Sequence, residues 1–172
     1  AKASSAEFVI GSVLDIDKLD PHTATSFSTV RMLGLTFGSL VEVGPKLDIR
    51  SGLAASWGFN ADSTELRLKL RKNVKFHDGS TFDAEDVKAS INRVLDTKTT
   101  AAARANIATI TSVTGSGLSV LIKMSVPNAP ILAALDGVNM SMLSSDDIAA
   151  NKIGKTVNGT GPFKFVSWEP GQ

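Results

Sequence analysis

Apolar and polar residues alternate most regularly in two stretches of the chain. In TELRLKLRKNVKF, Leu66, Leu68 and Leu70 fall on one side of an extended backbone and Glu65, Arg67, Lys69 and Arg71 on the other. That pattern predicts a strand in a sheet with one wet face. In LSVLIKMSV, Leu118, Val120, Ile122, Met124 and Val126 alternate without a miss. With ATITSV before it and Gly115-Ser116-Gly117 between, this second stretch predicts a β-hairpin.

Elsewhere the apolar period lengthens. Over 26–41, Phe27, Val30, Leu33 or Gly34, Phe37 and Leu40 or Val41 recur at helical spacing, behind a hydroxyl-rich TATS that can cap orphan N–H groups. A helix packed by one face is expected there. Val74 and Phe76 lead into HDGST, where Asp78-Gly79 suits a tight reversal, and Phe82 resumes the apolar contacts. Asp83 is placed to cap a second helix, with Asp86 favouring its positive end and Val87, Ile91, Val94 and Leu95 as the inner stripe, ending near Asp96. Pro130 opens a short helix over 131–135 that Gly137 ends, VNMSML predicts a strand, and SSDDIAANKIG one or two capped turns.

At the two ends, FVIGSVL (8–14) predicts a largely buried strand. Asp20-Pro21 then turns the chain. Residues 163–168 predict a strand between the glycine-rich loop 158–161 and the turn at Pro170-Gly171. The fold class is α/β with mostly antiparallel strands, and Leu66, Leu68, Leu70, Val87, Ile91, Val94, Val120, Ile122 and Met124 are expected to share one core.

Composition narrows the function. A chain of 172 residues with 42% hydrophobic side chains can bury a respectable core. Lys plus Arg number 18 against 17 for Asp plus Glu, so no positive field is available to hold nucleic acid. No apolar stretch approaches the roughly 20 residues that span a bilayer, and AKASSAEF lacks the apolar core of an uncleaved signal peptide. Cysteine is absent, which removes disulfides, thiolate metal sites, cysteine nucleophiles and a lipidated N-terminal cysteine. Two histidines leave little material for a transition metal, and no cofactor is expected.

The candidate chemistry is thin. His22 and His77 stand near Asp20 and Asp78, but in turns, where polar side chains ordinarily cap backbone groups. GTGPFK lacks the spacing of a phosphate loop, and Pro162 removes an N–H that could cradle an anion, so it is expected to be a backbone crossing. Gly115 and Gly117 belong to a turn, not to a dinucleotide fingerprint. Ser12, Ser90 and Ser167 lie outside any G-x-S-x-G motif. These observations argue against an enzyme. A serine or histidine hydrolase and a structural protein-interaction module stay open as alternatives.

Three segments carry a resemblance. LDPHTATSFSTVRMLGLTFGSLVEV, LAASWGFNADSTELRLKLRKNVKFHDGSTFDAEDVKASINRVLD and NGTGPFKFVSWEPGQ resemble successive signatures of the bacterial extracellular solute-binding proteins of family 5, the peptide, nickel and opine receptors of ABC importers. The likeness runs from about residue 7 to 172, and the central segment is highly specific. It implies part of a two-lobe periplasmic binding protein: the first part of lobe I (1–42), an inserted α/β subdomain (43–157), and a strand re-entering lobe I (158–172), with the second lobe absent from this chain. It further implies capture of a small, peptide-like solute between two lobes and delivery to an inner-membrane ABC permease, in the periplasm after removal of a signal peptide. The ligand-binding residues carried over are Thr25, Ser26 and Phe27, acting by main-chain hydrogen bonds and by packing of Phe27. The alternative is that these three only cap the helix. The resemblance also implies that this stretch alone binds solute poorly, and that unpaired edges at 8–14 and 163–168 favour self-association.

Overall fold

The computed structural model describes residue 11 and residues 14–170, so the strand expected at 8–14 lies, except for its residues 11 and 14, outside the described residues. Its centre is a four-stranded antiparallel sheet of β3 (Ala54–Phe59), β4 (Glu65–Leu70), β6 (Ser119–Met124) and β5 (Ile110–Ser116), in that spatial order. The two alternating stretches are its middle strands, with Leu66 opposite Ile122 and Leu68 opposite Val120. The tight connection after Ser116 is made by Gly117 at φ 51°, in the left-handed region where glycine carries no Cβ penalty. Arg67 and Lys69 point to solvent, as the alternation requires.

Helix α2 (Ala84–Leu95) covers the inner face of this sheet. It starts at a reciprocal capping box: the Asp83 carboxylate accepts at the helix start, and the Asp86 carboxylate accepts from the Asp83 N–H at 2.9 Å. All nine residues expected in the core lie in one buried cluster with Phe82, Ile107 and Ile131. Burying such an aliphatic side chain contributes on the order of 2 kcal/mol, which is what holds helix to sheet.

A small hairpin, β1 (Val41–Val43) with β2 (Ile49–Ser51), precedes the sheet. Neither it nor β3 is apparent in the pattern. AASWGF carries Ala, Ser and Gly, which have little intrinsic strand preference, and a register shift between Ala54 and Ser56 breaks its alternation. Pairing with β4 makes it a strand.

Three expectations are corrected. The helix over 26–41 is only α1 (Phe27–Leu33): the chain leaves it at Gly34, and Leu40 and Val41 instead join the large core at the start of β1. VNMSML is not a strand. It forms a 3₁₀ turn at Val138–Met140, then runs extended with the Met142 N–H donating to the Gly38 carbonyl at 2.8 Å. Residues 163–168 join no ladder among the described residues, because a strand needs a neighbour and among those residues only the Phe163 N–H makes a backbone hydrogen bond there, to the Leu35 carbonyl at 3.1 Å.

The remaining short helices are α3 (Ile131–Ala134), behind Pro130, and α4 (Ser145–Ala149), capped by the Ser144 side chain. A second, smaller apolar cluster gathers Ala24, Leu33, Phe37 and Leu143. Against it the glycine-rich segment crosses, as expected of GTGPFK. The Gly161 N–H donates to the Thr36 carbonyl at 2.9 Å, and the His77 N–H donates to the Gly159 carbonyl at 2.9 Å. A Cβ on Gly159 would sit 1.9 Å from the Thr36 oxygen, so only glycine fits there.

This close approach sets a comparison. Gly159→Ala should lower unfolding stability by about 3 kcal/mol, because the obstructing atom is backbone and cannot swing aside. Gly58→Ala in β3, where a Cβ would meet nothing within 4 Å, should leave the urea midpoint unchanged or raise it. Equal effects of the two substitutions in urea unfolding would contradict this account of the crossing.

Candidate functional site

The turn at residues 20–24 is held from four other places in the chain. The Asp20 carboxylate accepts the His22 N–H at 3.1 Å, capping a 3₁₀ turn at Pro21–Thr23. It also receives both arms of the Arg93 guanidinium, Nη1 at 3.1 Å and Nη2 at 2.6 Å. Asn139 Nδ2 donates to the carbonyls of Pro21 and Ala24, each at 2.8 Å. The Ala102 N–H donates to the His22 carbonyl at 3.0 Å. The fourth tie is the His22 ring, whose Nε2 donates to the Ser141 carbonyl at 2.8 Å.

His22 is fully buried. Burial pushes its pKa down to about 4, and the Arg93 charge acts in the same sense, while the Ser141 carbonyl and Asp20 oppose it. The ring is therefore neutral with its proton on Nε2, a tether and not a base.

From this clamped turn the chain projects Thr25, Ser26 and Phe27. Thr25 is exposed and Ser26 half-buried. Ser26 caps α1: its hydroxyl oxygen accepts the Thr29 N–H at 3.2 Å, and its proton goes to Thr29 Oγ1 at 2.8 Å. Thr29 in turn donates to Asp17 and accepts the Asp17 N–H at 3.0 Å, and its hydroxyl holds the Asp17 carboxyl below its ordinary pKa. This network fixes the rotation of α1. Ser28 and Thr29 face inward, and Phe27 is 73% exposed with the Arg31 guanidinium 5.3 Å from its ring centroid. The helical spacing had placed Phe27 on the inner stripe; the structure puts it outside, because the hydroxyl network takes the inner position.

His77 and Asp78 serve the crossing. His77 Nε2 donates to the Gly161 carbonyl at 2.8 Å. Asn158 Nδ2 donates to Asp78 at 2.9 Å and to Asp147 at 2.7 Å, and Lys152 lies 3.6 Å from Asp147. Amide and ammonium groups thus already occupy the two carboxylates. Neither histidine turns towards its neighbouring acid as a catalytic pair would, and Ser90, a candidate nucleophile, bridges α2 to the Leu143 backbone.

Sequence reasoning missed Arg93, Asn139 and Ser141. Arg93 sits on the polar side of its helix, and Asn139 and Ser141 lie inside a segment whose alternation suggested a strand. No local pattern marks them, since their partners are 73 to 119 residues away in sequence.

The model of the bacterial extracellular solute-binding proteins, family 5 Middle, matches residues 48–172. The chain belongs to this family. It is similar to the probable D,D-dipeptide-binding periplasmic protein DdpA of Escherichia coli K12, at 31% identity over 95% of this chain and 34% of DdpA. The glutathione-binding protein GsiB of Pectobacterium atrosepticum is 27% identical over 96% of this chain and 32% of its own length. Among solved structures, the periplasmic binding protein AgaA of A. tumefaciens R10, in complex with agropinic acid, superposes with a TM-score of 0.86 at 29% identity, over 91% of this chain and 32% of AgaA. DppA of Helicobacter pylori, an ABC transporter-associated periplasmic binding protein in complex with the peptide STSA, gives 0.78 at 27% identity, over 90% and 35%. The chain thus spans about a third of the length of these family-5 relatives and shares their α/β fold over that third.

The buried His22 gives a pH dependence with a definite sign. Its folded pKa lies below the 6.5 of the unfolded state, so its contribution is complete above pH 6.5 and is lost as pH falls towards 4. The loss should reach on the order of 3 kcal/mol, the equivalent of the shift. The difference in unfolding free energy between wild type and His22→Gln, taken from pH 7.5 to 4, isolates this residue from the carboxylates. A pH-independent difference would contradict the buried neutral ring.

Proposed function

We propose that these residues belong to the substrate-binding component of an ABC importer, a periplasmic receptor that closes two lobes on a small peptide-like solute and passes it unchanged to a membrane permease. The observation that carries the reading is a loop, Thr25 to Phe27, projecting from a turn held by four other residues of a chain whose residues 48–172 match the family-5 model. Rigid presentation of an exposed aromatic is what a ligand contact needs and what a helix cap alone does not. The peptide-like solute follows from relatives whose names give a dipeptide, glutathione or a peptide.

In this reading residues 1–42 open lobe I, 43–157 form a subdomain inserted in it, 158–172 return to it, and the second lobe closes over the loop. Thr25 and Ser26 offer main-chain groups to an extended ligand in the manner of an added strand, and Phe27 packs on it. The Ser26 hydroxyl is committed to Thr29, so its part is through the backbone. The segment 163–168, with Phe163 57% and Val166 91% exposed, is, together with 8–14, where a second copy of this chain would pair when the later strands of lobe I are not covering it. Light scattering reads that association directly.

Calorimetric titration of the full-length gene product with dipeptides, tripeptides and glutathione tests the assignment. Phe27→Ala should weaken binding by roughly tenfold or more, as loss of an aromatic anchor does, and leave the melting temperature within about 2 °C because the ring is exposed. Undiminished binding by that variant would remove Phe27 from the site. Hydrolysis of the added peptides would favour a hydrolase instead.

A further inference from the structure

Asn158-Gly159 is the one Asn-Gly pair in the sequence, a dipeptide whose second residue has no side chain to shield the asparagine from attack by the next backbone nitrogen. It lies where the chain crosses itself, and the fold uses the whole of the asparagine amide. Both Nδ2 protons go to carboxylates, Asp78 at 2.9 Å and Asp147 at 2.7 Å, and Oδ1 accepts the Asp78 N–H at 3.2 Å. Gly159 is pinned beside it, its carbonyl accepting the His77 N–H at 2.9 Å and its Cα too close to Thr36 for a Cβ to fit. Lys152, 3.6 Å from Asp147, is the one cation paired with either carboxylate among the described residues.

We propose that Asn158 is a modification site, a latent deamidation centre that the closed crossing holds off and that locks the crossing open once it has reacted. In the reaction the Gly159 backbone nitrogen gives its proton to hydroxide and bonds to Asn158 Cγ, the Cγ–Nδ2 bond breaks, and Nδ2 leaves as ammonia after taking a proton from water. Water then opens the cyclic imide on one side or the other, leaving aspartate or, with the main chain rerouted through Cγ, isoaspartate. The net change is one water consumed and one ammonia released, with no oxidation. The closed crossing obstructs this path in three ways. Hydrogen bonds to two other segments hold Cγ in place, the Gly159 main chain cannot swing past Thr36, and the negative oxygen that forms as nitrogen adds to Cγ develops beside Asp78 and Asp147. After reaction a carboxylate stands where an amide bridged those two acids, so three negative charges meet with Lys152 alone to offset them. The isoaspartate product also lengthens a main chain that has no spare room at Gly159. Either product makes the opening irreversible.

Peptide mapping of the full-length gene product tests this. Trypsin cuts after Lys155 and Lys164 and so releases 156–164, in which Asn158 is the sole side-chain amide. During incubation at mildly alkaline pH, that peptide should acquire the deamidated mass at least roughly tenfold more slowly in folded protein than in protein held in urea, because reaction in the folded state waits on opening. Asp147→Ala removes the nearer carboxylate, and should speed the reaction roughly threefold or more in buffer while leaving the rate in urea unchanged. The product mimic Asn158→Asp should unfold at lower urea than wild type at neutral pH, and its deficit should shrink as pH falls and the carboxylates protonate, which loss of the amide's shape alone would not produce. Equal rates in buffer and urea, no mass gain in urea, or a folded Asp147→Ala that reacts no faster than wild type would overturn the protection. An Asn158→Asp midpoint equal to wild type, or a deficit that ignores pH, would overturn the lock.

Discussion

The structure depends first on how the turn at residues 20–24 is tied down. A bidentate pair between Asp20 and Arg93, both largely buried, carries most of that constraint. Such pairs add little net stability, because desolvating two charges cancels much of their attraction. What they fix is position: Asp20 cannot leave Arg93 without stranding a charge, so the turn must lie against α2. Asn139 adds the second constraint, with one amide nitrogen donating to two carbonyls of the turn. The loop that projects from the turn, with the cap at Ser26, inherits this placement, while the Thr29 and Asp17 network sets the rotation of α1 that turns Phe27 outward.

The two apolar clusters are organised around that tie. The larger one joins the antiparallel sheet to α2, and the smaller one packs α1 against the segment around Leu143. Arg93 is the polar side of the helix whose apolar side fills the larger cluster, so a single helix registers both. The glycine crossing closes the arrangement from the other direction. Gly159 and Gly161 come so near the Thr36 backbone that the end of α1 and the His77 turn are bridged by main chain, independent of side-chain choice.

Local regularity was legible in the sequence and long-range polar contacts were not. The middle strands, the capped helix α2 and the shared core could be read because alternation and helical periodicity are properties of neighbouring residues. β3 could not, because its composition is poor for a strand and partner pairing decides it. The helix over 26–41 was overextended for a related reason: Leu40 and Val41 keep the spacing but belong to a different core. Thr25, Ser26 and Phe27 came forward only through family resemblance, and nothing in periodicity alone would have turned Phe27 outward. That reversal comes from Thr29 and Asp17, a hydroxyl and a carboxylate twelve residues apart whose meeting no local pattern announces.

The central claim is that the clamped turn, and not the helix itself, sets how the loop is presented. Amide hydrogen exchange on Asn139→Ala measures this most directly, since the substitution removes two hydrogen bonds to the turn and lies outside both the sheet and α1. The account predicts exchange roughly tenfold faster across residues 25–33, with protection in β4 and β6 unchanged. Unchanged protection across 25–33, or an equal loss throughout the sheet, would contradict it.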